Sequence, residues 1–361
     1  MGISLYAHVT VYPDAANYTG PLALLDRVFD VVFAWSLLAL SFCVGRTCCA
    51  ALSIPFAGLA EEFAFSVFTG MGALALAVLG LGLAGLLKPI PAAALALLSI
   101  LISHRQIPRL ALLLTGALNA ATLSRQRVIV ALLLVALALM LVLRAATPPH
   151  SFDEAIYHLA ITKSFVARGR VFPVVENWAG DMPFLVHMIY ALCLMAKADI
   201  AAKVFSWLLA LTCALGIYAF CSRFLDKTTG AIAMLVFFAA GMVVEVAVTA
   251  RIDVSLAAVL FLATYAMFVC LESKNEPGAG RWLFLSGIMS GLALGIKYSA
   301  GIWIALLGLV FVFESLRTRK RSILELAKHG GGFVLIAFLL SSPWFAKNLV
   351  WFHNPVYPFV T

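Results

Sequence analysis

The run VIVALLLVALALMLVLRAA, Val128 to Ala146, followed by TPPHSFDEAIYH, Thr147 to His158, decides how this chain folds. The first part carries a single charge, Arg144, and has about the 20 apolar residues that a helix needs to cross a hydrocarbon core. The second is polar, broken by Pro148 and Pro149, and holds two adjacent acids, as a loop leaving a membrane would. Working outward, similar apolar segments precede it at Val28 to Ala51, Phe63 to Leu87 and Pro91 to Ser103. Others follow at Phe184 to Ala196, Val204 to Cys221, Gly230 to Ala250, Val254 to Leu271, Trp282 to Ile296, Ala300 to Phe313 and Gly330 to Ser342.

Composition points the same way. Of 361 residues, 63% are hydrophobic and 12% charged, with mean hydropathy +1.04, whereas a soluble domain carries about 25% charge. The chain is therefore expected to be an all-α, polytopic integral membrane protein of about ten transmembrane helices, and a water-soluble enzyme is excluded. The net charge of +8 comes from basic residues in short loops, which reports topology and gives no nucleic-acid face. Cys43, Cys48, Cys49, Cys193, Cys213, Cys221 and Cys270 lie in or beside apolar runs without Cys-x-x-Cys spacing, so they count as small buried hydrophobes. Met1 to Pro21 has no basic segment leading into an apolar core, so no cleaved signal peptide is expected, and no repeat of fixed period is visible.

Two basic loops set the orientation. His104 to Arg127 carries Arg105, Arg109, Arg125 and Arg127, and Arg317 to Arg321 adds Arg317, Arg319, Lys320 and Arg321; both are expected on the cytoplasmic side. Counting helices from each places Thr147 to Pro183 and Arg251 to Asp253 together on the outer face. Three apolar segments separate these loops, so one cannot span. Phe184 to Ala196, short and interrupted by His187, is assigned as re-entrant or interfacial.

Ser151-Phe-Asp-Glu154 forms a Ser-x-x-Glu capping box, and Phe152, Ile156, Leu159 and Ala160 follow at helical spacing. An amphipathic helix at the membrane surface is expected there. Glu154 could simply cap it, and Asp153 could be an acid favoured by the helix dipole. Against that plain reading stands the company: His150, Tyr157, His158, Lys163, Arg168, Arg170, Glu176, Asn177 and Asp181 gather in a chain otherwise poor in polar groups, and function concentrates in such loops.

Further along, Asp253 begins an apolar helix beside Arg251, Glu245 lies inside an apolar segment, and Lys297 ends Gly291-Leu-Ala-Leu-Gly-Ile-Lys-Tyr298. An ionisable group within a span is a functional candidate, with a local ion pair or a snorkelling side chain as the plain alternative for each. Lys297 could hold a lipid phosphate as a point charge. A divalent metal is allowed by His150, Asp153, Glu154 and His158, with Asp253 as a further candidate, although residues five apart such as Asp153 and His158 diverge around a helix. Phosphate-binding glycine loops and nucleophile elbows are absent from the sequence.

The chain resembles the GT-C superfamily of membrane glycosyltransferases, which includes protein O-mannosyltransferases and lipid A aminoarabinose transferases. The likeness rests on Phe152-Asp153-Glu154 through Tyr157-His158-Leu159, Arg251-Ile-Asp253, Gly291 to Tyr298, and Pro343-Trp344 through Lys347-Asn348 to Asn354-Pro-Val-Tyr-Pro358. The Tyr-His-Leu variant looks most like uncharacterised bacterial members.

The resemblance implies a GT-C-like core over residues 128–361, with its outer catalytic loop at 147–183, preceded by an N-terminal transmembrane extension over 1–127. Relatives usually continue beyond the Asn-Pro-Val-Tyr-Pro stretch, so incompleteness at the C-terminus is expected. It also implies an inverting transfer from a polyprenyl-phosphate-linked sugar to an acceptor hydroxyl of a glycan, lipid or protein, on the non-cytoplasmic face of a bacterial inner or plasma membrane. Asp153 would be the base, Glu154 and Asp253 supporting acids, Arg251, Lys297 and Lys347 the lipid-phosphate ligands, and Tyr157, His158 and Asn177 substrate-loop residues. The competing expectations are a transporter or flippase of a lipid-linked substrate, built on Glu245 and Lys297, and a non-catalytic assembly subunit.

Overall fold

A computed structural model describes residues 21–118, 125–174, 176–273, 278–318 and 322–359. In chain order the helices are α1 (Pro21–Ala51), α2 (Leu59–Leu83), α3 (Pro89–Ser103), α4 (Ile107–Leu118), α5 (Arg125–Ala145), α6 (Leu159–Arg168) and α7 (Leu185–Met195). They continue as α8 (Asp199–Phe224), α9 (Lys227–Ala239), α10 (Gly241–Ala247), α11 (Asp253–Glu272), α12 (Ala279–Ile296), α13 (Ala300–Thr318) and α14 (Ile323–Phe352). Among the described residues there is no strand. Among the described residues, eight helices are long and apolar enough to cross a membrane, or up to nine if the bent pair α9 and α10 counts as one span. The chain is an all-α, multi-pass integral membrane protein.

Local chemistry sets the helix ends. Pro89 opens α3, where its missing N–H costs nothing. The Asp226 carboxylate accepts from the amides of Thr228 and Thr229 at the head of α9, and Ser322 with Glu325 forms a capping box on α14. Gly169 closes α6 at φ 67°, a conformation that favours glycine.

Close crossings join the helices where side chains are smallest. A Cβ on Gly45 of α1 would collide with the Ser66 carbonyl of α2, and one on Gly70 of α2 with the Ser41 carbonyl of α1. This reciprocal small-xxx-small contact lets two backbones touch in lipid, where apolar side chains gain little by meeting each other. The N-terminal helices share one core with the rest. Phe65 of α2 packs against Tyr265 of α11 and Trp282 of α12.

Three expected segments take a different form. The apolar run 230–250 is not one straight helix: it bends by 77° at Ala240, where ψ is 110°, between α9 and α10. The basic loop from His104 is largely helical, because a 3-10 turn at His104–Gln106 carries α3 directly into α4. Of its arginines, Arg109 turns inward to Glu62. Arg319, Lys320 and Arg321 fall outside the described residues.

The amphipathic face expected after Ser151 is also different. Phe152 is 75% exposed, whereas Glu154, His158, Leu159, Ile161, Thr162 and Phe165 are buried. A π-helical turn over Glu154–His158 precedes α6. The extra residue in that turn rotates the helix and brings polar Glu154 and His158 inward. By contrast α7, at 11 residues, is roughly 16 Å long and too short to cross the hydrocarbon core. Its side chains are mostly buried within the protein, so it is an internal helix, not one lying at the membrane surface.

Candidate functional site

The acid-bearing loop leaves α5 at Ala145 and is pinned by a residue the sequence reading did not single out. Lys203, near the start of α8 and fully buried, donates from Nζ to the carbonyls of Thr147 at 2.7 Å and Pro148 at 3.1 Å. A buried ammonium needs such acceptors, and here they come from the proline-broken backbone just before Asp153. The only sequence sign was a lysine at the edge of an apolar run.

Glu154 then joins two loops. One of its oxygens accepts from the amides of His150 and Ser151, the other from the amide of Ala250 at 2.7 Å. Ser151 Oγ accepts from the Glu154 amide, so the capping box exists, but the carboxylate also reaches a backbone 96 residues away. Fully buried, Glu154 fixes the segment before Arg251 against the segment holding Asp153. From the other side, Tyr190 of α7 donates to the Arg251 carbonyl at 3.0 Å, and Ser206 of α8 approaches the same oxygen at 3.5 Å.

These constraints bring the predicted acids together. Arg251 Nη2 lies 3.2 Å from Asp153, its Nε lies 3.3 Å from Asp253, and Lys297 Nζ lies 3.6 Å from Asp253. The result is a row of alternating charge, Asp153, Arg251, Asp253 and Lys297, drawn from the start of the π turn, the loop before α11, the first residue of α11 and the end of α12. All four side chains are partly open, at 27–46% exposure, so solvent or substrate can reach them. Tyr157 stands beside the two acids. Burial, followed by the charges of Asp153 and Asp253, pushes its phenol up to about 12, so it offers a hydroxyl donor and not a base at neutral pH.

His158 does not face this row. It is buried, with Nδ1 2.6 Å from Nε2 of His187, whose ring stacks on Phe184 at 3.6 Å. Burial, then the cations Arg251 and Lys297, hold the His158 imidazole down to about 3. It is a neutral group in the wall behind the site.

Asn177 caps the 3-10 turn Trp178–Asp181 and donates to the Ile156 carbonyl, tying the far part of the loop to the π turn. Lys347 is buried and donates to the Asp181 carbonyl at 2.8 Å and to Asn348 Oδ1 at 2.6 Å. Asn348 in turn donates to the Tyr298 hydroxyl at 2.9 Å. Lys347 thus secures the loop to α14, outside the row of charges. Burial raises the Asp181 carboxyl above the usual carboxylate range.

Glu245 lies in the short α10 with an ion pair to Arg144 at 3.2 Å, and His150 stands 3.9 Å away. It lies beyond the 77° bend that separates α9 from α10, and its partner sits at the end of α5. For a divalent metal the donor set fits poorly. Arg251 occupies the space between the two aspartates, His150 faces Glu245, His158 faces His187, and no group of three His, Cys, Asp or Glu converges among the described residues.

Residues 181–346 match the family model described as dolichyl-phosphate-mannose-protein mannosyltransferase. The matched stretch takes in Arg251, Asp253 and Lys297, and Asp153 lies upstream of it. Neither a curated protein nor a solved structure matches the chain.

Proposed function

Starting from a GT-C-type membrane glycosyltransferase, which is what the match over residues 181–346 supports, we propose that the charge row at the loop end of the bundle transfers a sugar from a polyprenyl-phosphate donor. The acceptor is a hydroxyl on the non-cytoplasmic face of the membrane, and the anomeric centre is inverted. The observation that carries this is the convergence of Asp153, Arg251, Asp253 and Lys297 from three chain segments.

In this mechanism Asp153 takes the proton of the acceptor hydroxyl while that oxygen attacks the anomeric carbon. The carbon–oxygen bond to the phosphate breaks, and its electron pair leaves with the lipid phosphate. Arg251 and Lys297 offset the charge growing on that phosphate, so the step needs no metal. Asp253, between the two cations, keeps both aimed at the site. Tyr157 contributes a hydroxyl donor to the sugar or the acceptor. Glu154, Lys203 and Lys347 hold the loop in place and touch no substrate. The transporter reading, built on Glu245 and Lys297, would have to use a glutamate that is already paired with Arg144.

The test is loss of radiolabelled sugar from a panel of polyprenyl-phosphate sugars in membranes carrying the wild-type chain or its Asp153→Asn variant. Cleavage by wild type and not by the variant is the expected result. Equal cleavage by both would remove Asp153 from the role of base. An intact donor in both, with lipid-linked sugar moved across the bilayer, would favour transport.

A further inference from the structure

A second charged region lies at the opposite end of the bundle. Lys203 and Arg223 sit 20 residues apart on α8, or about 30 Å at 1.5 Å per residue, with the acid-bearing loop on Lys203. Around Arg223 the first turn of α2 supplies Glu61 and Glu62, both buried. Arg223 pairs with Glu61 at 2.7 Å, while Arg46 of α1 and Arg109 of α4 both bond Glu62.

Beside this cluster is a cavity of about 750 Å³, within the range of sites that take small molecules. Its walls are largely apolar, with Leu113 of α4 and Leu211 and Leu215 of α8, and its charged lining comes from Glu61, Arg223 and Lys227. One side of the cavity therefore suits hydrocarbon and one end suits a charged group at the level where α8 and α9 meet. Of the charged residues that line the cavity, Arg223 and Lys227 outnumber Glu61, and Asp226 beside them is already held by the Thr228 and Thr229 amides. A guanidinium carries five N–H donors, and each arginine keeps some beyond its bonds to glutamate. Lys227 is exposed.

We propose that this cavity is a binding site for a membrane phospholipid with an anionic phosphate headgroup, its phosphate on Arg223 and Lys227 and its acyl chain along Leu113, Leu211 and Leu215. The site is separate from the charge row and does not depend on the transfer reaction. An apolar wall alone would accept any lipid tail, and it is the pair of cations Arg223 and Lys227 that selects an anionic head.

Native mass spectrometry on the purified, delipidated full chain tests this, with phosphatidylglycerol and phosphatidylcholine of identical acyl chains as probes. One phosphatidylglycerol should be retained roughly tenfold more tightly than phosphatidylcholine, a difference of about 1.4 kcal/mol. Lys227→Gln changes an exposed side chain and should abolish the preference while leaving weak tail binding. Leu211→Trp fills the cavity and should weaken both lipids. Equal retention of the two lipids, or a preference untouched by Lys227→Gln, would overturn the proposal. Displacement of phosphatidylglycerol by millimolar inorganic phosphate would show that the headgroup alone is recognised, and would overturn the assignment of the apolar wall.

Discussion

The two ends of this bundle both gather arginines and carboxylates, yet they are built for different ends. At the loop end, Asp153, Arg251, Asp253 and Lys297 meet at 3.2–3.6 Å and stay partly open to solvent. At the other end, Glu62 is held by two arginines and Glu61 by a third, and both carboxylates are almost wholly buried. Loose, exposed contacts can be exchanged for contacts with a substrate. Enclosed, multiply bonded pairs cannot be given up without leaving a charge unpaired in a poorly solvated place. The same residue types serve exchange at one end and attachment at the other, and burial decides which.

The contrast can be broken most sharply at Asp153. Asp153→Asn should lower sugar transfer by roughly 10²–10⁴-fold, the usual worth of a positioned base, with little change in thermal unfolding because the side chain is partly exposed. At the opposite end Glu62→Ala should do the reverse. It removes the shared acceptor of Arg46 and Arg109, which are themselves 22% and 38% exposed, and a loss of about 1.5–3 kcal/mol is expected from the lost charge-assisted bonds, read as a lowered unfolding temperature in detergent. Should Glu62→Ala leave stability intact, burial would not be what separates the two clusters.

Two smaller changes sharpen it. Lys297→Gln removes the most exposed member of the row and should raise KM for the lipid-phosphate donor by about tenfold, equivalent to about 1.4 kcal/mol, with kcat less affected. The smallest effect concerns pH. His158 is held neutral when folded, with its pKa down to about 3, whereas in the unfolded chain it titrates near 6.5. Below about 6.5 the unfolded state binds the extra proton, so stability falls as pH drops toward 3 and is complete above about 6.5. Thermal unfolding scanned from pH 7 to pH 5 should show this decline, and a His158→Gln variant should flatten it.

How much of this was legible in the sequence depended on the range of the interaction. Apolar length gave the helices, and charge placement demanded that one segment fail to cross; α7 is indeed too short. The grouping of Asp153, Arg251, Asp253 and Lys297 followed from topology and resemblance. What stayed hidden required contacts between distant segments. Nothing local announces that Glu154 reaches the amide of Ala250, that Lys203 holds the carbonyls of Thr147 and Pro148, or that His158 finds His187. The π turn was illegible for a related reason, since the sequence from Ser151 reads as an ordinary capped helix and only tertiary burial of Glu154 and His158 rewards the extra residue. The setting of Glu245 was hidden because hydropathy does not register a 77° bend at Ala240.

The bond between Arg223 and Glu61 spans 162 residues, and that separation bears on how the protein is made. At synthesis rates of about 5–20 residues per second, Arg223 emerges roughly 10–30 s after Glu61. Meanwhile α1 and α2, adjacent in sequence and fitted together at Gly45 and Gly70, can already pair as a hairpin, with Glu61 at its tip bonded only to the nearby amide of Ala57. Until α8 arrives, the hairpin lacks the arginine that pairs with Glu61 in the finished bundle. A chain interrupted before Arg223 would keep that acid without its cation, a ready mark by which unfinished copies differ from finished ones.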